Sequence, residues 1–115
     1  MNKKKLEYGF LETFHKGFIN NGWSFKIISH YHLHFELFKK DVKTFINFYD
    51  DGSIVIKMLK GSYEICNEPF SFIEKYDNKL ASDIVEKVEE YYGLCLKNSG
   101  KTNEHLHTLK AMSIE

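Results

Sequence analysis

Apolar residues along this chain recur first every four positions and then every two. In "LEYGFLETFHKGFINNG", Leu6, Phe10, Phe14 and Phe18 fall on one side of a helix, and Leu11 and Ile19 widen that stripe. Asn20, Asn21 and Gly22 supply its stop. From Trp23 to Phe38 the period becomes two. Phe25, Ile27, Tyr31, Leu33, Phe35 and Leu37 share one parity, while Lys26, Ile28, His30, His32, His34 and Glu36 share the other. A straight strand of that length would extend ~53 Å, too far for a small domain. A bend or bulge near Ser29, or two strands in the same phase, is therefore expected.

Two hairpin signals follow in "INFYDDGSIVIKMLKGSYEIC". Asp51-Gly52 suits a two-residue type I′ turn, whose central positions both need φ > 0. Lys60-Gly61 is a second turn and Lys40-Asp41 a third, giving a four-stranded antiparallel meander over roughly residues 31–66. Two-residue loops fix the register: Tyr49 opposite Ile54, Phe45 opposite Met58, Lys57 opposite Glu64. That register sorts Leu33, Phe35, Leu37, Ile46, Phe48, Val55, Leu59 and Cys66 onto a core face, with Lys57 and Glu64 intruding. The other face collects His32, His34, Glu36, Phe45, Asn47, Tyr49, Ile54, Ile56, Met58, Tyr63 and Ile65. It is aromatic and amphipathic, unlike the polar side of a solvated sheet.

"NEPFSFIEKY" fits either a strand (Phe70, Phe72) or a short helix opened by Pro69. "NKLASDIVEKVEEYYG" reads as a helix with Leu80, Ile84, Val88 and Tyr91 on one stripe, joined by Ala81, Val85 and Tyr92. Asp77 or Asn78 caps it, and Gly93 is expected to end it. A further strand is expected at Leu94–Lys97 and a short helix on Leu106, Leu109 and Met112. The expected fold is α+β: an N-terminal helix, a curved antiparallel sheet of four to five strands, and a C-terminal helix packed on it. Residues 1–97 form one domain and 98–115 a tail.

Composition narrows the choice of function. With 115 residues, 43% of them hydrophobic, the chain can bury a core without staples. Formal net charge is zero and all sixteen basic residues are Lys. Without Arg there is no bidentate fork for guanine, phosphate or carboxylate, and without net charge no field draws in a polyanion, so nucleic acid is disfavoured. The absence of Arg also fits an AT-rich genome. Cys66 and Cys95 form no C-x-x-C pair, which suits a reducing compartment. No segment reaches the ~20 apolar residues of a membrane span, and the N-terminus lacks a signal-peptide core. A cytoplasmic, soluble protein is expected.

Five of six histidines lie in H-x-H pairs: His30, His32 and His34, then His105 and His107. On a strand, positions i and i+2 point the same way ~7 Å apart, a spacing that offers two imidazoles to one Zn or Fe ion. Glu36 would complete an open site on His30, His32 and His34. His30, His32 and Glu36 also satisfy H-x-H-x(3)-E, which resembles the first half of the cupin metal motif. The glycines that bracket that motif and its second half are missing, so the family does not carry over. The bland reading makes these histidines polar residues on a half-buried strand, paired with neighbours such as Asn47 or Tyr49. Cys66 lies on the expected core face, and Cys95 at a helix end where the dipole opposes a thiolate, so neither reads as a nucleophile.

The leading expectation is a small non-enzymatic protein-binding module, of the inhibitor, immunity or adaptor kind found in bacteria and phages. It would use its aromatic sheet face (His32, His34, Glu36, Phe45, Asn47, Tyr49, Tyr63) or the acidic run Glu86, Glu89 and Glu90, with no cofactor. A homodimer would also cover such a face. The alternative is a metal- or small-ligand-binding protein, or a metalloenzyme, using His30, His32, His34 and Glu36 with Zn or Fe.

Overall fold

Phe10, Phe14 and Phe18 are completely buried, and they make the first helix. In the computed structural model, which describes residues 9–29 and 33–98, α1 spans Phe10–Asn20. It closes as the sequence predicts: Gly22 takes φ +89°, its N–H donates to the Ile19 carbonyl, and the Trp23 N–H donates to that of Phe18. This is a Schellman stop, and a residue with a Cβ would resist its left-handed position. Leu11 and Ile19, expected to widen the buried stripe, are exposed.

Five strands follow in an antiparallel meander of order β1-β2-β3-β4-β5. They are β1 (Ser24–Ser29), β2 (His34–Lys39), β3 (Val42–Phe48), β4 (Ile54–Lys60) and β5 (Tyr63–Phe70). The long period-two segment is two strands in the same phase, with a register irregularity between Ile27 and Ser29. Lys40 and Asp41 form the β2–β3 turn as expected, since Lys39 pairs with Val42.

The β3–β4 hairpin departs from expectation by one residue. Phe48 pairs with Ile54 and Phe45 with Lys57, in place of the expected Phe45–Met58 pair. The loop holds three residues, Asp50 to Gly52, closed by the Tyr49 N–H donating to the Ser53 carbonyl at 2.9 Å. Gly52 sits at φ +89°, the left-handed residue of a bulged three-residue loop. The Asp51 carboxylate accepts from the Ser53 hydroxyl (2.6 Å) and N–H (3.0 Å), which holds its pKa below the usual carboxylate value. One extra loop residue turns every β4 side chain to the opposite face.

The correction is therefore systematic. Ile54, Ile56 and Met58 are fully buried, and Val55, Lys57 and Leu59 look the other way. At the next turn Lys60 pairs with Tyr63, so the loop is Gly61-Ser62 rather than Lys60-Gly61. Lys57 faces Cys66, and Glu64 faces Leu59. Ile65 and Tyr63 follow β4 onto the core side, where both pack partly buried.

The second helix, α2, spans Asn78–Asn98. Asp77 caps it, its carboxylate accepting the Leu80 N–H at 2.9 Å. The helix does not stop at Gly93, and the strand expected at Leu94–Lys97 is its last turn. The reason is visible in the spacing: Ile84, Val88, Tyr91, Tyr92 and Cys95 continue one buried stripe, which outweighs the ~1 kcal/mol cost of an interior glycine. The expected helix on Leu106, Leu109 and Met112 lies outside the described residues.

Both helices pack on the same face of the sheet. Phe14 of α1 meets Phe25, Phe35 and Phe48 with ring centroids 5.7, 4.9 and 5.9 Å away. Tyr76 closes one end beside Phe10 and Phe48. Where the helices touch, Gly17 lets them approach: a Cβ there would lie 2.7 Å from Val85 Cγ2. No helix among the described residues is long and apolar enough to cross a membrane.

Candidate functional site

With α1 and α2 both on the Phe35–Ile46–Ile56 side, no described element covers the opposite face of the sheet. Pairing across the strands lays that face out in three rows. The central row is Lys26, Glu36, Phe45, Lys57 and Cys66. On one side runs Phe38, Lys43, Leu59 and Glu64, and on the other His34, Asn47 and Val55. Phe45, Val55 and Leu59 are half-buried and Phe38 is exposed, so the four form an apolar patch open to solvent. The Lys43 ammonium lies over the rings of Phe38 and Phe45, 5.4 and 5.8 Å from their centres. Such exposed cation–π contacts are worth ~0.5–1 kcal/mol and leave the charge available to a partner.

Four of the residues nominated from sequence share this face. His34 sits opposite Asn47, and Glu36 opposite Phe45. The His34 ring meets Phe45 edge to face at 6.2 Å. Its Nε2 is buried and has no hydrogen-bond partner among the described residues. Tyr49 follows them into the β3–β4 loop and is half exposed. Tyr63 does not join them: it packs on the core side, where the Asn98 side-chain amide donates to its hydroxyl at 3.3 Å. His32 and His30 lie outside the described residues, as do His105 and His107. No group of three or more His, Cys, Asp or Glu that could hold a metal ion is found among the described residues.

Phe38, Lys43, Val55, Lys57 and Leu59 belong to the same face but were missing from the sequence-based set. A signal for the β4 members, Val55, Lys57 and Leu59, existed. Lys57 and Glu64 intruded on what otherwise looked like a core face, and a three-residue Asp50-Asp51-Gly52 loop would have moved both outward.

Two of the three residues of the acidic run on α2, Glu89 and Glu90, are paired within the protein, and Glu86 is exposed. Glu89 accepts from the Trp23 indole N–H at 2.6 Å and lies 3.7 Å from the Lys39 ammonium. Glu90 pairs with Lys87 and Asp83 with Lys79. The two thiols exchange the places expected of them. Cys66 is exposed on the open face, and Cys95 is fully buried, where desolvation pushes its pKa up to about 11.

Comparison with protein-family models, curated proteins and solved structures finds no match.

Proposed function

We propose that this chain is a non-enzymatic protein-binding module that engages its partner through the open face of the sheet. One observation carries the reading. Both helices cover the same side, leaving Phe38, Phe45, Val55 and Leu59 on the other, interleaved with Lys43 and Lys57. Aromatic anchors ringed by polar groups are what protein interfaces use. Glu36 faces Lys26 across the strands, and Lys43 and Lys57 outnumber the remaining carboxylate, Glu64, so the face is left net positive; an apolar segment bordered by carboxylates complements it. Between the two surfaces the sequence nominates, the sheet face is favoured because Glu89 and Glu90, two of the three residues of the acidic run, are already paired. An inhibitor, immunity or adaptor role, and a cytoplasmic site of action, are consistent with such a surface.

The test is quantitative co-purification from the source cells with Phe45→Lys and Glu86→Lys variants, each checked for folding by circular dichroism. Loss of the wild-type partner with Phe45→Lys and its retention with Glu86→Lys support the proposal. The reverse pattern moves the interface to α2.

A second reading has one observation of its own, the buried and unpartnered Nε2 of His34. A Zn or Fe site on His30, His32, His34 and Glu36 would use it as a ligand. Untagged protein carrying about one equivalent of metal, lost in His34→Ala, would favour that reading. Metal-free protein whose melting temperature ignores added Zn would reject it.

A further inference from the structure

We infer that the open face of the sheet in one copy of this chain receives the loop around Phe72 of a second copy, head to tail. This occupancy rests on the open face being a binding surface, as proposed above, and names what fills it. A partner for that face needs an apolar tip bordered by carboxylates, and the chain carries one between β5 and α2. Phe72 is exposed at 85%, the highest value among the described large hydrophobic residues. Glu68 and Glu74 stand four residues before it and two after it, and both are exposed. Between residues 67 and 78 the carboxylates are Glu68, Glu74 and Asp77, against the single ammonium of Lys75.

The loop is built to hold that ring outward. Phe72 has φ +56°, a left-handed conformation that a bulky side chain rarely adopts. Its neighbours enforce it. The Ile73 N–H donates to the Gly52 carbonyl at 2.9 Å, and a Cβ on Gly52 would lie 2.7 Å from the Ile73 nitrogen, so the two backbones meet closely. Phe70 and Ile73 pack against the core on either side, and the Ser71 hydroxyl donates to Glu68 at 2.6 Å. An apolar side chain held in water by a strained, fixed backbone suits an anchor whose bound conformation is already made.

Charge chooses the occupant. The open face offers Phe38, Phe45, Val55 and Leu59 with Lys43 and Lys57 among them, and the loop offers Phe72 between Glu68 and Glu74. In this pairing apolar meets apolar and ammonium meets carboxylate. Face on face would set lysines against lysines, and loop on loop carboxylates against carboxylates. The contact therefore joins two different surfaces, and a pair of copies keeps one of each kind unused. Association of that type runs on into a chain or closes into a ring.

The experiment is light scattering on the full chain across a concentration series, for wild type, Phe72→Asn and Lys43→Glu. Asn adopts a left-handed backbone readily, so Phe72→Asn should melt no lower than wild type. Lys43 is exposed, so Lys43→Glu should fold. Wild type should exceed the mass of one chain as concentration rises, less so in high salt, while each variant alone stays at the mass of one chain. An equimolar mixture of the two variants should reach the mass of two chains, because the loop of Lys43→Glu still fits the face of Phe72→Asn. Wild type at the mass of one chain throughout overturns the inference; the open face then remains for a foreign partner, which the co-purification above reads separately. Assembly that survives either substitution also overturns it, as does a mixture that stays at the mass of one chain. Should Lys43→Glu fail to fold, Lys57→Glu reads the same face.

Discussion

The indole N–H of Trp23 donates to the carboxylate of Glu89 across 66 residues of sequence, at 2.6 Å. Trp23 is buried at the start of β1, and its ring meets Tyr92 edge to face at 5.4 Å. The Lys39 ammonium reaches the same cluster, 4.3 Å from the Tyr92 ring centre and 3.7 Å from Glu89. One carboxylate thus joins the end of α1, the first hairpin and α2. Hydrogen bonds to charged groups contribute about 1.5–3 kcal/mol. Glu89→Ala should therefore lower stability by about 2 kcal/mol in urea unfolding, and Glu89→Gln, which keeps an acceptor, by less. Trp23 is the chain's single tryptophan, so a shift in its emission should report the broken contact directly.

Two helical glycines should respond in opposite directions to the same change. In Gly17→Ala the new Cβ meets Val85 Cγ2 at 2.7 Å and Cγ1 at 3.3 Å. A β-branched side chain in a helix is stiff, so the helices must move apart. Overpacking costs about 1–3 kcal/mol and outweighs the ~1 kcal/mol gain in helix propensity. A Cβ added at Gly93 would meet nothing within 4 Å outside its own helix turn among the described residues. Gly93→Ala should stabilise by up to about 1 kcal/mol. Melting temperatures of the two variants check this, and Val85→Ala should offset much of the loss in Gly17→Ala.

The thiols give a pH-dependent prediction. Cys66 is exposed and should react with a thiol reagent in the folded protein, whereas Cys95 should react only on unfolding. Burial raises the Cys95 pKa from 9.0 to about 11, so the folded state keeps a proton that the unfolded state loses. The associated stability is complete below pH 9 and is lost as pH rises from about 9 towards 11. Burial also raises the Tyr76 hydroxyl, which adds to the same alkaline loss. Cys95→Ala should flatten the slope of stability against pH in that window, as measured by urea unfolding at successive pH values.

The order of elements was legible in the sequence wherever one residue type set the local geometry. Phe10, Phe14 and Phe18 announced α1, Gly22 ended it, and the period-two run announced the sheet. What misled was arithmetic at one loop. Asp51-Gly52 reads as a two-residue turn, yet the chain uses Gly52 as the left-handed bulge of a three-residue loop, a choice of one residue that carries the facing of β4 and β5 with it. For that reason His34, Glu36, Phe45 and Asn47 were grouped correctly on β2 and β3, while Tyr63, two turns later, was not. Gly93 misled differently: a local stop signal yielded to the continuing stripe from Val88 to Cys95.

Two adjacent residues decide which side of β4 faces the helices. Met58 is fully buried and Leu59 sits on the open face. Thermal unfolding of Met58→Lys and Leu59→Lys is the most direct measurement. An unpaired charge in the core should unfold or severely destabilise Met58→Lys, while Leu59→Lys should melt close to wild type. A stable Met58→Lys beside an unfolded Leu59→Lys would contradict the register, and with it the open face proposed to bind a partner.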